Sequence, residues 1–284
     1  MKKSLFKSLR AYRHQPLSLF LKLLVWLSIA LTVGAFVLLV GYVLVMGVPH
    51  LSLDFFSLTY TSDNVSLFPA LVNTLSITAL ALVIAVPLGI FAAIYLVEYA
   101  KRGNKLVALV RTTAETLSGI PSIVYGLFGL LFFVTTLGWG YSLLAGAFTL
   151  AIMILPLIMR TTEEALKAVP DSFREGSFGL GAGKLRTIFR IVLPSAVPGI
   201  LAGVILAVGR IVGETAALIY TAGTVAAIPD GIFSSGRTLS VHMYTLANEG
   251  LHVGKAYATA VVLIIMVVGI NALSGFLAKK ITKT

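Results

Sequence analysis

Arg210 and Glu214 stand four residues apart inside an otherwise apolar stretch, Ala196 to Ala222. On a helix that spacing places both side chains on one face. Carried on at helical periodicity, the face reads Gly203, Ala207, Arg210, Glu214, Ala217 and Thr221, small or polar throughout. The opposite face, Leu201, Ile205, Val208, Val212 and Ile219, is oily apart from Thr215. An arginine fork gives two parallel, charge-assisted hydrogen bonds to a suitable oxyanion. Glu214 is placed either to hold that fork or to accept a hydrogen bond from an oxyanion that still carries a proton. Ionisable groups at membrane depth face a cavity or one another. The pattern therefore predicts either a helix lining a path for a small anion, with Arg210, Glu214 and Thr221 along it, or a bridge that serves packing alone.

Other polar residues carry weaker signals. Asn73, Thr74, Ser118 and Ser122 offer hydrogen bonds within or beside apolar runs, where such residues commonly join helices. Arg111 and Glu115 have the spacing of an exposed i,i+4 pair, and Arg160 reads as a charge anchor at the end of an apolar run. His242 and His252 lack metal-ligand spacing and read as solvated. With no cysteine, disulfides and thiolate metal sites are excluded. Neither paired aspartates, a His-Glu zinc motif nor a Ser-Lys pair lies in the apolar runs, so no catalytic residue, metal or cofactor is expected.

These residues need elements to position them, and composition says in which solvent. The chain is 58% hydrophobic and 12% charged. Soluble domains hold about 45–50% apolar and about 25% charged residues, so the bilayer is the expected solvent. Six apolar runs reach the roughly 20 residues a spanning helix needs. They are Leu23–Gly47, Phe68–Val97, Ser118–Leu137, Tyr141–Met159, Ala196–Ala222 and Lys255–Ala278. The first comes after Lys2, Lys3, Lys7, Arg10, Arg13 and Lys22, but is too long for a signal-peptide core of about 7–15 residues and reads as an uncleaved span. The expectation is an all-α membrane protein, with a basic N-terminus over 1–22, a first span over 23–48, and a core over 68–284 with five spans. The net charge of +11 raises nucleic acid as a partner, but the cations sit between spans rather than on a groove-reading element. With both termini cytoplasmic, nineteen of the 22 basic residues fall inside, leaving Arg237 and Lys255 outside and Arg210 within a span.

The inside loop, 161–195, is too patterned to be a mere connector. Pro170 disfavours helix in the residue before it. Ser172 and Glu175 form an S-x-x-E capping box, which predicts a short helix. Gly179, Gly181 and Gly183 end it, a basic amphipathic helix comes next over Lys184–Leu193, and Pro194 and Pro198 mark re-entry into the membrane. The glycines do not make a Walker A loop: its first glycine would fall at Phe178, and Leu185 stands in the hydroxyl position. Any ATPase must lie on another chain.

The loop resembles the signature of ABC-importer permeases, in which EAA is succeeded by three residues, a glycine, nine residues and I-x-L-P. Glu175-Gly176-Ser177 takes the first place, Gly181 stands at the right distance, and Ile191-Val192-Leu193-Pro194 closes it, with two small residues in place of the alanines. The segments LVNTLSITALALVIAVPLGIFAAIYLVEYA, LSGIPSIVYGLFGLLFF, GRIVGETAALIYTAG and EGLHVGKAYATA are most similar to the PstA-type permeases of phosphate importers. The resemblance implies a type I importer permease of MetI-like architecture in the bacterial inner membrane. It implies that Ser172, Arg174, Glu175, Gly176, Ser177 and Gly181 belong to a coupling helix that docks on the ATPase. The implied partners are a PstC-like second permease, two PstB-like ATPase subunits and a PstS-like phosphate-binding protein. Another oxyanion or small solute remains the nearest alternative. An ion-coupled secondary transporter would explain the spans but not the 175–194 signature.

Overall fold

The computed structural model describes residues 16–101 and 103–282. Lys2, Lys3, Lys7, Arg10, Arg13, Arg102 and Lys283, and with them most of the N-terminal segment, lie outside the described residues. Among the described residues the secondary structure is helical, with no strand. Five helices are long and apolar enough to cross a bilayer: α1 (Pro16–Gly47), α2 (Phe68–Tyr99), α5 (Leu143–Lys167), α7 (Lys184–Val212) and α10 (Val253–Thr282). A further apolar pair, α3 (Lys105–Ser118) and α4 (Ser122–Thr136), is bent by 101° at its break and makes a sixth crossing if the two count as one span. Three shorter helices complete the chain: α6 (Asp171–Gly179), α8 (Ala216–Ile219) and α9 (Leu239–Glu249).

The helix ends obey local chemistry. Asn104 caps α3 by accepting from the Leu106 N–H, and Ser142 caps α5 by accepting from the Ala145 N–H. Pro69 sits in the first turn of α2, where its missing N–H costs nothing. Gly250 closes α9 in the left-handed region, at φ 71°.

The α2–α5 pair shares the largest helix–helix contact, and α7 packs across α5. Ile77, Ala81 and Ala85 of α2 meet Ala147, Leu150, Ile154 and Ile158 of α5, with Ala207 and Ile211 of α7 closing the core. A second core at the basic end joins Ala93, Ile94 and Leu96 to Val107, Leu166, Ile188 and Val192. A third, at the opposite end, holds Phe55, Leu67, Ala70, Leu239 and Ala258. By contrast α1 touches the rest of the fold mainly along α10 and leaves its apolar surface bare.

Three boundaries differ from the sequence expectation. The run expected at Ser118–Leu137 is broken at Gly119–Pro121, so only α4, about 22 Å long at 1.5 Å per residue, points along the crossing. Its corner is stapled by the Tyr125 hydroxyl, which donates to the Leu117 carbonyl at 2.8 Å. The amphipathic segment Lys184–Leu193 is not a separate helix. It is the first part of α7, and Pro194 and Pro198 are absorbed inside it rather than marking a break. A π-helical turn at Ile188–Val192 lies directly before Pro194, where the proline lacks a donor and crowds the preceding turn. Finally, α7 stops at Val212 instead of running on to Ala222.

Gly126 of α4 lies directly against α8. A Cβ there would meet the Ala217 Cα at 2.8 Å, and backbone has no rotamer with which to yield. Gly126→Ala is expected to destabilise the fold by about 1–3 kcal/mol, as overpacking does. A lowered melting temperature in detergent is the check.

Candidate functional site: the α7 end and the coupling helix

Arg210 lies in the last turn of α7, exposed, and makes no ion pair among the described residues. The i,i+4 pairing with Glu214 does not form, because the helix ends at Gly213 and turns the chain away. Glu214 is buried and its carboxylate accepts the Ala217 N–H at 3.0 Å, capping α8. A negative group is favoured at a helix N-terminus. The Glu214 carbonyl in turn accepts the Ser240 hydroxyl, tying this turn to the start of α9. Thr221 is fully buried, donates to the Ala217 carbonyl at 2.8 Å and does not reach the surface. Of the three residues expected along one face, the structure brings only Arg210 to an open surface. The other two hold the turn behind it.

At the basic end, α6 begins directly after Pro170, whose extended backbone (ψ 138°) serves as the cap position. The expected capping box is absent: Ser172 lies within the first turn and makes no cap bond, while Asp171 supplies the favourable first-turn charge. Ser172, Glu175 and Gly176 are exposed, alongside the bare side chains of Phe173, Phe178 and Leu180. Arg174 and Ser177 turn inward instead. Ser177 exchanges a 2.8 Å hydrogen bond with the Thr187 hydroxyl of α7. Arg174 donates to Glu98 Oε1 from Nε at 3.1 Å and from Nη2 at 2.8 Å. It also reaches the Val169 and Leu166 carbonyls, each at 2.9 Å. Gly181 ends the helical turn at φ 79°, a conformation glycine adopts without a Cβ clash.

Neighbouring charges also find partners other than those their spacing indicated. Arg111 bridges to the buried Glu163 of α5 at 2.7 Å, not to Glu115. Lys167 meets the same oxygen at 2.6 Å. Arg160 lies between Glu115 at 3.9 Å and Glu164 at 3.7 Å, all three exposed. For Arg111 the desolvated carboxylate on the facing helix wins over the exposed one on its own helix, whereas Lys167 keeps its own-helix partner.

At the opposite end, Asn73 and Thr74 join elements. Asn73 Nδ2 donates to the Ala227 and Arg237 carbonyls at 2.9 and 3.2 Å, and Thr74 Oγ1 accepts the Leu239 N–H at 2.9 Å. Ser118 donates to its own helix at Ala114. His242 overturns the expectation of a solvated side chain: it is fully buried, with ring centroids 6.4 Å from Phe55 and 6.3 Å from Tyr60. The Arg237 guanidinium lies over the same Tyr60 ring, 4.7 Å from its centroid. The signal was present, since Leu239, His242 and Leu246 share one helix face.

Apolar crossings around a tightly paired α2–α5 core, with an exposed arginine at a helix end and a short amphipathic helix at the basic face, define a multi-pass membrane protein. The chain belongs to the family of binding-protein-dependent transport system inner membrane components, which matches residues 85–283. It is thus a multi-pass cell-membrane subunit of an ATP-binding-cassette importer. It is 36% identical to a probable ABC transporter permease protein, YqgI, of Bacillus subtilis, over 89% of this chain and 91% of that one. It is 39% identical to the phosphate transport system permease protein PstA 1 of Mycobacterium tuberculosis, over 72% and 67%. Among solved structures, an alginate importer aligns over 98% of this chain and 99% of its own, with TM-score 0.67 and 17% identity. The MetNI methionine transporter, inward facing, aligns over 76% and 94%, with TM-score 0.59 and 21% identity. These likenesses establish the type I, MetI-like fold.

Burial, and then the charge of Arg237, push the His242 imidazole from its ordinary 6.5 down to about 3, with the Val65 backbone acting weakly the other way. The unfolded segment takes up a proton below about 6.5, whereas the folded one stays neutral until about 3. The stability contribution is therefore complete above pH 6.5 and is lost as pH falls through that window. The melting temperature is expected to drop between pH 6.5 and 4, and less steeply in His242→Gln. Equal slopes in the two proteins would contradict the assignment.

Proposed function

We propose that this chain is the PstA-type permease subunit of a phosphate importer, carrying inorganic phosphate inward on energy from ATP hydrolysed by a separate subunit. The exposed Arg210 at the end of α7, which makes no ion pair among the described residues, is the observation that carries the reading. A guanidinium at membrane depth does not face lipid without large cost, so its surroundings are an aqueous path or a second subunit. Its planar fork matches a phosphate oxygen pair. The curated relatives named as phosphate transport permeases, 39% identical in Mycobacterium tuberculosis and 36% in Haemophilus influenzae, support the same substrate.

In this scheme the basic face is cytoplasmic, and a PstC-like permease faces this subunit and shares the charge of the phosphate dianion. A PstS-like binding protein delivers phosphate to the far side, and two PstB-like ATPase subunits engage Ser172, Glu175 and Gly176. Glu214 and Thr221 act behind Arg210. Glu214 caps α8 and Thr221 closes that helix's last turn against Gly129 of α4, so together they hold the turn that comes after Arg210.

Arg210→Lys keeps the charge and loses the fork. In the reconstituted complex it is expected to assemble normally and lower ATP-dependent phosphate uptake by roughly tenfold or more, the loss of one charge-assisted hydrogen bond. Near-normal uptake removes Arg210 from the path, and uptake of sulfate or molybdate in preference to phosphate by the unaltered complex overturns the substrate. Because the Glu214 carboxylate is engaged at Ala217, Glu214→Gln is expected to preserve the phosphate-over-sulfate preference while lowering thermal stability.

A further inference from the structure

The coupling helix α6 has two separate attachments to the spans. One is the neutral Ser177–Thr187 contact, which leads into α7 and so toward Arg210. The other is the Arg174 cluster. Arg174 and Glu98 are both largely buried, with side chains 14% and 9% exposed. The Arg174 guanidinium is committed on every side, to Glu98, to Asp171 Oδ1 at 3.1 Å, and to the Leu166 and Val169 carbonyls. A side chain so occupied has nothing left to offer a docking subunit. Exposed ion pairs contribute little, but a buried, fully hydrogen-bonded pair is costly to break.

The position of Glu98 is itself made by the backbone. It lies in a π-helical turn, Tyr95–Tyr99, that ends α2. Such a turn carries one extra residue, which rotates the succeeding residues by about 100° relative to a regular helix. The widened turn aims the Glu98 carboxylate at α6. Since Leu166 lies in the last turn of α5 and Val169 in the link that runs on to α6, Arg174 gathers the ends of α2 and α5 onto one side chain of α6.

Resting on the importer reading above, we propose that the Arg174–Glu98 bridge is the joint that delivers movement of the coupling helix to the α2–α5 pair, a positioning pair rather than an ATPase contact. With the joint intact, a push on α6 moves α2 and α5 together with it. Without it, α6 still moves α7 through Ser177 and Thr187, but the α2–α5 pair no longer moves along, and ATP is spent without transport.

The test uses the complete complex in proteoliposomes with the binding protein and inorganic phosphate outside, scoring ATP hydrolysed per phosphate accumulated. Glu98→Gln keeps the shape and removes the charge. It is expected to assemble, to hydrolyse ATP, and to raise the ATP-to-phosphate ratio by about fivefold or more, the lower end of coupling between linked sites. Arg174→Lys keeps the charge but does not hold Glu98 and two carbonyls at once, and is expected to raise the ratio as well. An unaltered ratio in either assembled variant overturns the joint. Failure of both variants to assemble overturns it too, because the pair then serves folding alone. Failure of the unaltered complex to accumulate phosphate is a separate result, and refutes the substrate rather than the joint.

Discussion

Lipid tails are as apolar as leucine, so transmembrane helices gain nothing from merely hiding apolar side chains from one another and must be held by close fit. The contact between α2 and α5 meets that demand with small residues. Ala81, Ala85 and Gly89 present a nearly flat strip, and Ile154 and Ile158 fill against it. The rest of the fold is built on this pair: α7 crosses it, α4 rests on it, and the basic-end core continues it as far as Val169, just before α6. The described fold thus has two packed bodies, the α2–α5 pair and the helix that crosses it.

Polar groups then occupy the few places where those bodies meet. Glu214 closes α8 and, through its carbonyl and Ser240, fixes the start of α9. Asn73 and Thr74 pin the returning chain at Ala227, Arg237 and Leu239. Glu163 holds two cations of the basic face, and Glu98 holds Arg174. Each buried carboxylate is matched by a cation or a backbone N–H, as a low-dielectric interior requires. Arg210 lies outside this interior: it is exposed and makes no ion pair among the described residues.

The crossings and the coupling segment were legible because they depend on properties that add along the chain. Apolar runs report the bilayer, and the placement of lysines and arginines reports sidedness. The spacing from Glu175 to Pro194 marked α6 although the box at Ser172 does not close it. The breaks were harder to read. Gly119–Pro121 lies within a run that reads as one unbroken apolar segment, yet the chain bends there by 101° and α3 packs on α5. Likewise Pro194 looked like a stop, while a π turn upstream carries it inside α7.

By itself, the sequence determined the solvent, the apolar segments, the basic face and the family signature. Hydrophobicity, charge and spacing are local sums that need no partner to be read. Only the tertiary structure decided where each charge finds its counterpart. Arg111 turns to Glu163 rather than Glu115, Arg174 turns inward to Glu98, and Glu214 leaves Arg210 for a backbone amide. A polar group buried beside a neighbouring helix gains far more from being satisfied than one on an open face. That difference is set by the packing, and no one-dimensional pattern carries it.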